Sequence, residues 1–262
     1  MSAVPQTASV LEREDRDGVA TLTLNRPQQF NALSDELLDA LQAEFDRINA
    51  DPAVRVVVIR GAGKAFCAGH DLREMRANPS KASMQALFRK CSKVMMSIVA
   101  APQPVIARVH GIATAAGCQL VAQCDLAVAA EDARFAVSGI NVGLFCSTPM
   151  VALTRAIPAK AAFEMLTTGQ FIDAAKAERL GLINRVAAPE ALADETRALA
   201  LSVAGKLASA VRVGKRAFYE QAEMGLDAAY AHTGRVMAEN MLHRDTAEGV
   251  AAFLEKRKPQ WP

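Results

Sequence analysis

Four short runs constrain the fold of this chain more than any other feature. Val54–Ile59 (VRVVVI), Pro104–Val109 (PVIARV) and Leu126–Ala129 (LAVA) are β-branched or small and almost unbroken in apolar character. A strand with one wet face alternates apolar with polar residues, whereas a strand buried on both faces reads as a near-continuous apolar run. Val19–Leu24 (VATLTL), after the turn signal Asp17-Gly18, alternates in the half-buried manner. The segments between these runs carry the longer period of helices. Ser34 stands as an N-cap before Leu37, Leu38, Leu41, Phe45 and Ile48, and Asp51-Pro52 stops the pattern. A helix is predicted from about Ser83 to Val99, and a short buried one over Cys118–Cys124. From Ala159 onward the pattern is mostly helical: Lys160–Thr167 with Gly169 past its end, Ala174–Leu180, Ala191–Leu207, Ala210–Glu223 and Ala247–Arg257. Only Leu182–Val186 interrupts as a strand. Strands alternating with helices predict an α/β core with helices covering a largely parallel sheet, followed by a helical region that packs on it.

Composition narrows the function. With 51% apolar residues among 262, a sizeable core can be buried. Thirty basic against 28 acidic side chains leave a charge of +2, so neither nucleic acid nor a membrane surface is an expected partner. Five cysteines, an odd number, argue against a disulfide framework. The first seventeen residues contain no signal-peptide apolar core. The weakly polar stretch Val109–Ala130 is interrupted by His110, Gln119, Gln123 and Asp125, so no membrane span is expected. These observations together predict a soluble, cytoplasmic protein.

Several familiar motifs fail. Gly61-Ala-Gly63-Lys64 has Val58 and Ala65 where a phosphate loop needs Gly and Ser or Thr. No dinucleotide fingerprint follows the first strand, and no nucleophile elbow is present. Cys118 and Cys124 are too widely spaced for a metal clamp, so no metal is expected. Cys67, Cys91 and Cys146 read as small buried apolar residues. Two loops remain, KAFCAGHDLREM (64–75) and HGIATAAGCQL (110–120), each following a buried strand. Small residues let the backbone approach a ligand closely. A helix beginning near Ala116 would aim free N–H groups and its positive dipole end at whatever lies ahead of it. Tight packing of strand on helix explains the same small residues, and spacing alone does not separate the two readings.

NRPQQFNAL (25–33), GKAFCAGHDLREM (63–75), PVIARVHGIATAAGCQLVAQCDLAVA (104–129) and FLEKRKP (253–259) resemble, in the same order, the crotonase family of enoyl-CoA hydratases and isomerases. The GIATAAGCQL and NVGLFCSTP stretches are most similar to its enoyl-CoA hydratase domain-containing protein 3 group. The resemblance implies a spiral of repeated β-β-α units over residues 1–200. Residues 201–262 would then be a helical region that packs on the core and on neighbouring subunits, building a homotrimer or hexamer. It implies an acyl-CoA thioester as ligand, in fatty-acid or related metabolism, with coenzyme A as part of the substrate and no separate cofactor. The thioester carbonyl would be polarised by the backbone N–H groups of His70, which follows Ala68-Gly69, and of Ala116. Arg26 and Arg73 match positions from which basic side chains approach the coenzyme A nucleotide. Asp71 and Leu72 lie in the same loop, Asp71 as a helix cap. Lys256 and Arg257 would reach coenzyme A phosphates or a neighbour's ligand.

The sequence departs from the family at the acid–base pair. Hydratases of the family use two glutamates, whose positions here hold Gln119 and, in FAVSGINVG (135–143), Gly139. Neither exchanges a proton near neutral pH; an amide can orient a water but cannot deprotonate it. Cys146, Ser147 and the His70 side chain are the candidates to replace them. Two readings stay open. One is a hydratase-like lyase with a non-standard acid–base set, and the other is a catalytically silent acyl-CoA-binding or regulatory protein.

Overall fold

The β-branched runs lie side by side in one sheet. The computed structural model describes residues 9–261. Leu11–Arg16 (β1) and Val19–Leu24 (β2) form an antiparallel hairpin around Asp17-Gly18, where both residues have positive φ. Asp35–Ala50 (α1) leads to Val56–Gly61 (β3); Leu72–Ala77 (α2) and Lys81–Ala100 (α3) lead to Val105–Val109 (β4). Ile112–Thr114 (β5), Ala116–Gln123 (α4), Leu126–Ala130 (β6) and Arg134–Ala136 (β7) follow. Ser147–Ala156 (α5), Ala159–Thr168 (α6), Ile172–Asp173 (β8), Ala174–Leu180 (α7) and Arg185–Ala187 (β9) precede the terminal helices Leu192–Ala204 (α8), Ala208–Ala222 (α9), Leu226–Met241 (α10) and Arg244–Leu254 (α11). The large sheet has the order β1-β2-β3-β4-β6-β9 and is parallel beyond its first hairpin. A small second sheet runs β5-β7-β8.

Burial on both faces explains the unbroken apolar runs. Val57, Ile59, Val105, Ala107 and Ala129 face one core together with Leu37, Leu41 and Phe45 of α1 and Val94 and Ile98 of α3. Val56, Val58, Ile106 and Val128 face the other way, against Leu192, Leu199 and Ala200 of α8. α1 begins as its sequence predicts, with the Ser34 side chain accepting from Leu37 N–H, and it buries the five apolar residues read from its period.

The structure adds elements that the patterning does not show. β5 lies inside the small-residue turn, and Leu182 and Ile183 are buried ahead of the β9 strand rather than within it. α10, which the patterning does not single out, buries none of its residues. Among the described residues no helix is long and apolar enough to cross a membrane.

A buried ion pair fixes α9 to the core. Lys215 Nζ donates to Asp125 Oδ2 at 2.7 Å and to the carbonyls of Ile98 and Gln103 at 2.8 and 2.9 Å. Asp125 also accepts from Tyr219 O–H at 2.8 Å and from Val105 N–H at 2.6 Å. Removing one partner of such a pair strands the other as a buried charge, at a cost of about 3–5 kcal/mol. Lys215→Met is therefore expected to lower unfolding stability by about 3 kcal/mol in urea titration. A loss below about 1 kcal/mol, the range of exposed pairs, would show that the pair is not the anchor.

Candidate active site

The site is built by a loop threaded between two segments of backbone. On one side, Phe66 and Cys67 N–H donate to His110 and Ile112 O at 3.0 and 3.1 Å, and Thr114 N–H donates to Cys67 O at 3.0 Å. On the other, Ala68 N–H donates to Phe30 O, Leu33 N–H to Gly69 O at 2.7 Å, and Asp71 N–H to Leu33 O at 3.2 Å. The last two bonds make a parallel bridge between Leu33 and His70. In such a bridge the flanking residues supply the bonds, so the N–H of His70 itself faces away from Leu33. On that opposite side lie β5 and its continuation, Ala115-Ala116. Gly69 has φ 92° and no room for a side chain: a β-carbon there would sit 2.9 Å from Ala115 Cβ and 3.2 Å from Ala116 N. Absence of that carbon brings the loop against the start of α4.

Ala115 joins β5 to α4 with φ 50° and ψ −120°, a conformation costly for any residue with a β-carbon. Its own N–H is taken by Ala136 O at 3.0 Å. Ala116, the first residue of α4, is fully buried, and its N–H has no acceptor among the described residues. The same holds for the N–H of His70. Buried backbone donors are almost always paired, so the Ala116 N–H at a helix N-terminus, with a second unpaired N–H on the loop that Gly69 packs against it, is a candidate receptor for an oxygen carrying negative charge.

The side chains expected to handle protons are uncharged at neutral pH. Gln119, one helical turn beyond Ala116, is 4% exposed, and its Oε1 has no partner among the described residues. Gly139 donates its N–H to Cys146 Sγ at 3.3 Å, and a β-carbon on it would meet Leu144 O at 2.5 Å and that sulfur at 2.7 Å. Position 139 is thus closed to any side chain in this backbone. Burial raises the Cys146 thiol above its ordinary pKa, against the Gly139 hydrogen bond, so it stays protonated at neutral pH. Ser147 is exposed and donates to Phe145 O at 3.3 Å. The His70 ring packs edge-on to Phe88 with centroids 5.6 Å apart. Burial pushes its pKa down to about 4, opposed by the Leu33 backbone, and neither ring nitrogen has a partner in hydrogen-bond geometry. A pair that the sequence does not reveal, Thr114 and Ser138, shares a hydroxyl hydrogen bond of 2.7 Å. Only the pairing of β5 with β7 brings them together.

Other residues expected at the site serve the loop. Arg26 donates to Asp71 Oδ2 at 2.9 Å and to Ala32 O, tying the 25–33 loop to the 64–75 loop. Asp71 caps α2 by accepting from the N–H groups of Arg73 and Glu74, and the Arg26 guanidinium helps hold its carboxyl below the usual range. Leu72 and Arg73 are exposed on α2, and Ala68 is part-buried. Arg257 pairs with Glu248 and Glu255, so the structure ties it to its own helix rather than to the receptor. Lys256, beside it, is exposed. A cleft of about 540 Å³ between α3 and α9, lined by Ala101, Arg212 and Tyr219, contains none of these groups. Among the described residues no cluster of three or more His, Cys, Asp or Glu side chains is placed to hold a metal.

Comparison with known proteins identifies the family and the fold. Residues 14–262 match the family described as enoyl-CoA hydratase/isomerase. The enoyl-CoA hydratase domain-containing protein 3, mitochondrial, of Xenopus laevis is 46% identical, over 97% of this chain and 85% of that one. The crystal structure of an enoyl-CoA hydratase of Mycobacterium smegmatis superposes with TM-score 0.95 at 59% identity, covering 96% of this chain and 98% of that one. That of the human enoyl-CoA hydratase domain-containing protein 3 has TM-score 0.94 at 43% identity, covering 96% and 100%. The fold is accordingly the crotonase fold, with its C-terminal helical region. The expectation of a cytoplasmic protein is corrected, because the vertebrate relatives are mitochondrial by name. Composition and core patterning report solubility and packing, whereas compartment is set by addressing signals outside the folded core.

The buried imidazole gives a pH signature. His70 binds a proton near 6.5 when unfolded and near 4 when folded, so stability rises with pH between those values and is flat above them. The full effect is on the order of 3 kcal/mol. His70→Phe should remove this part of the acid slope, measured as urea midpoints from about pH 4 to 7. An unchanged slope would place the ring in water rather than against Phe88.

Proposed function

The chain belongs to the enoyl-CoA hydratase/isomerase family, and from that premise we propose that it binds acyl-CoA thioesters with the carbonyl oxygen received by the N–H groups of His70 and Ala116. The observation that carries this reading is the pair of convergent backbone donors without a protein acceptor. As a nucleophile adds to the β-carbon of an enoyl thioester, negative charge moves onto the carbonyl oxygen as an enolate. Donors fixed in advance favour that state over the ground state, each by about 100- to 1000-fold in rate. The reaction this supports best is hydratase-like lyase chemistry: water oxygen joins the β-carbon, and a proton is delivered to the α-carbon.

Proton handling follows from the neutral surroundings. Gln119 orients water without taking its proton. The Cys146 thiol is held protonated, and a His70 ring with pKa about 4 is a weak base. A carboxylate pair would contribute about 100- to 10,000-fold per partner, so hydration here is slow relative to enzymes that have one. The closed position at Gly139 favours a second reading, a silent acyl-CoA binder or regulatory protein.

α10 and α11 support self-association. Leu226, Tyr230, Met237, Leu242, Phe253 and Leu254 are all exposed, Leu242 at 88% and Phe253 at 82%. Exposed large apolar side chains in this number on two helices point to an interface, here that of a homotrimer or hexamer that would carry Lys256 and Arg257 toward a neighbour. Sedimentation should give a trimer or hexamer at micromolar concentration; a monomer would contradict this assembly.

Hydration is tested by incubating enoyl-CoA thioesters of several chain lengths in oxygen-18 water, with mass spectrometry of the product. Labelled hydroxyacyl-CoA above the protein-free control is expected, with Gln119→Glu raising the rate by about 100-fold. Thioesters that bind but never gain label would establish the silent binder instead.

A further inference from the structure

Arg60 of β3 and Arg108 of β4 are register partners on neighbouring parallel strands. Such strands lie about 4.8 Å apart, so two guanidinium groups leave the sheet side by side. Both arginines are half-buried. Arg60 Nε donates to Thr23 Oγ1 at 2.9 Å, and Arg108 has no side-chain hydrogen bond among the described residues. Neither has a carboxylate within ion-pair distance among those residues, although other sheltered cations do: Lys215 has Asp125, Arg26 has Asp71, and Arg13 has Asp15, Glu44 and Asp51. Like charges directly opposite on a sheet repel. Burial and Arg60 together push Arg108 down to about 10.

The pair opens onto two adjoining clefts that share Arg108 and Ala193. One, of about 370 Å³, is lined by Lys64, His110 and Asp132; the other, of about 180 Å³, by Arg16, Arg197, Glu14 and Asp194. The acidic residues line the walls without pairing to either guanidinium. The first turn of α8 borders both clefts, and its leading N–H groups have no intrahelical acceptor. Arg60 and Arg108 stand on the same sheet face as Val58 and Ile106, the face covered by α8. Ile59 and Ala107 face the core that contains Cys67, Ala113 and Ala116. The sheet therefore separates these arginines from the thioester receptor.

We propose that this cleft is an anion site in which a phosphoryl dianion, free or carried on a small metabolite, bridges Arg60 and Arg108. A carboxylate is satisfied by one guanidinium fork, whereas a phosphoryl group has enough oxygens to accept from both forks and from the start of α8. Lys64 adds a further cation at the cleft mouth.

The test is calorimetric titration of the whole protein with inorganic phosphate at constant ionic strength, with chloride as control, beside titration with an acyl-CoA thioester. Saturable phosphate binding is expected, weakened about tenfold or more by Arg60→Gln or Arg108→Gln, while thioester affinity stays within about twofold. Glu14→Gln, which leaves both arginines in place, should tighten phosphate. A phosphate monoester that binds more tightly than inorganic phosphate identifies a carried phosphoryl group, and equal affinity identifies the free ion. Phosphate no better than chloride would overturn the proposal. So would glutamine variants that bind phosphate like the parent, or a parallel loss of thioester affinity, which would assign the arginines to the coenzyme A subsite.

Discussion

The backbone of Ala115, at φ 50° and ψ −120°, turns the chain out of β5 and into α4 with the Ala116 N–H projecting ahead of the helix. A residue with a β-carbon holds such a conformation at a cost of about 1–3 kcal/mol, which the surroundings must offset. They do so through the Ala136 carbonyl on the Ala115 N–H, the pairing of β5 with β7, and Gly69 on the facing loop, whose missing side chain leaves space for Ala115 Cβ. The facing loop is equally determined. Bonds to His110 and Ile112 on one side and to Phe30 and Leu33 on the other leave the His70 N–H a single direction. Two donors without acceptors are thus a product of strand register rather than of any side chain.

Surroundings that determine the donors also determine what cannot happen beside them. Gly139 is locked by the Leu144 carbonyl and the Cys146 sulfur, so placing any side chain there demands a different path for residues 139–146. Gln119 is different, since glutamate has almost the same shape and the α4 backbone would not change. The site combines charge stabilisation with neutral hydrogen-bonding groups: the Gln119 amide, the Thr114–Ser138 hydroxyl pair and an uncharged imidazole. On the proposed reading, such a site would polarise a thioester more readily than it would move protons.

Much of this was legible in the residues. The apolar face of α1, its Ser34 cap and the doubly buried strands follow from periodicity alone, because each element buries what its pattern marks as apolar. The two small-residue loops singled out in the sequence do pack against each other, through Gly69 and the start of α4. Other features depend on three-dimensional register. β5 spans three residues, too few to show a period, and without it neither the Thr114–Ser138 pair nor the direction of the loop can be foreseen. α10 turns its apolar residues outward instead of into the core, so its burial does not follow from its pattern. The Arg26–Asp71 pair, which joins two loops 45 positions apart, is not visible in the sequence, and Arg60 and Arg108, 48 positions apart, become neighbours only through strand pairing.

The most direct test of the account is isotope-edited infrared spectroscopy of an acyl-CoA thioester carrying a carbon-13 label at the carbonyl. Two backbone N–H donors on that oxygen weaken the C=O bond, so the labelled band should shift to lower frequency on binding and sharpen as the carbonyl is held in one environment. The shift should survive His70→Phe, since the donor is the backbone N–H. A bound thioester whose carbonyl absorbs where it does in water would contradict the account.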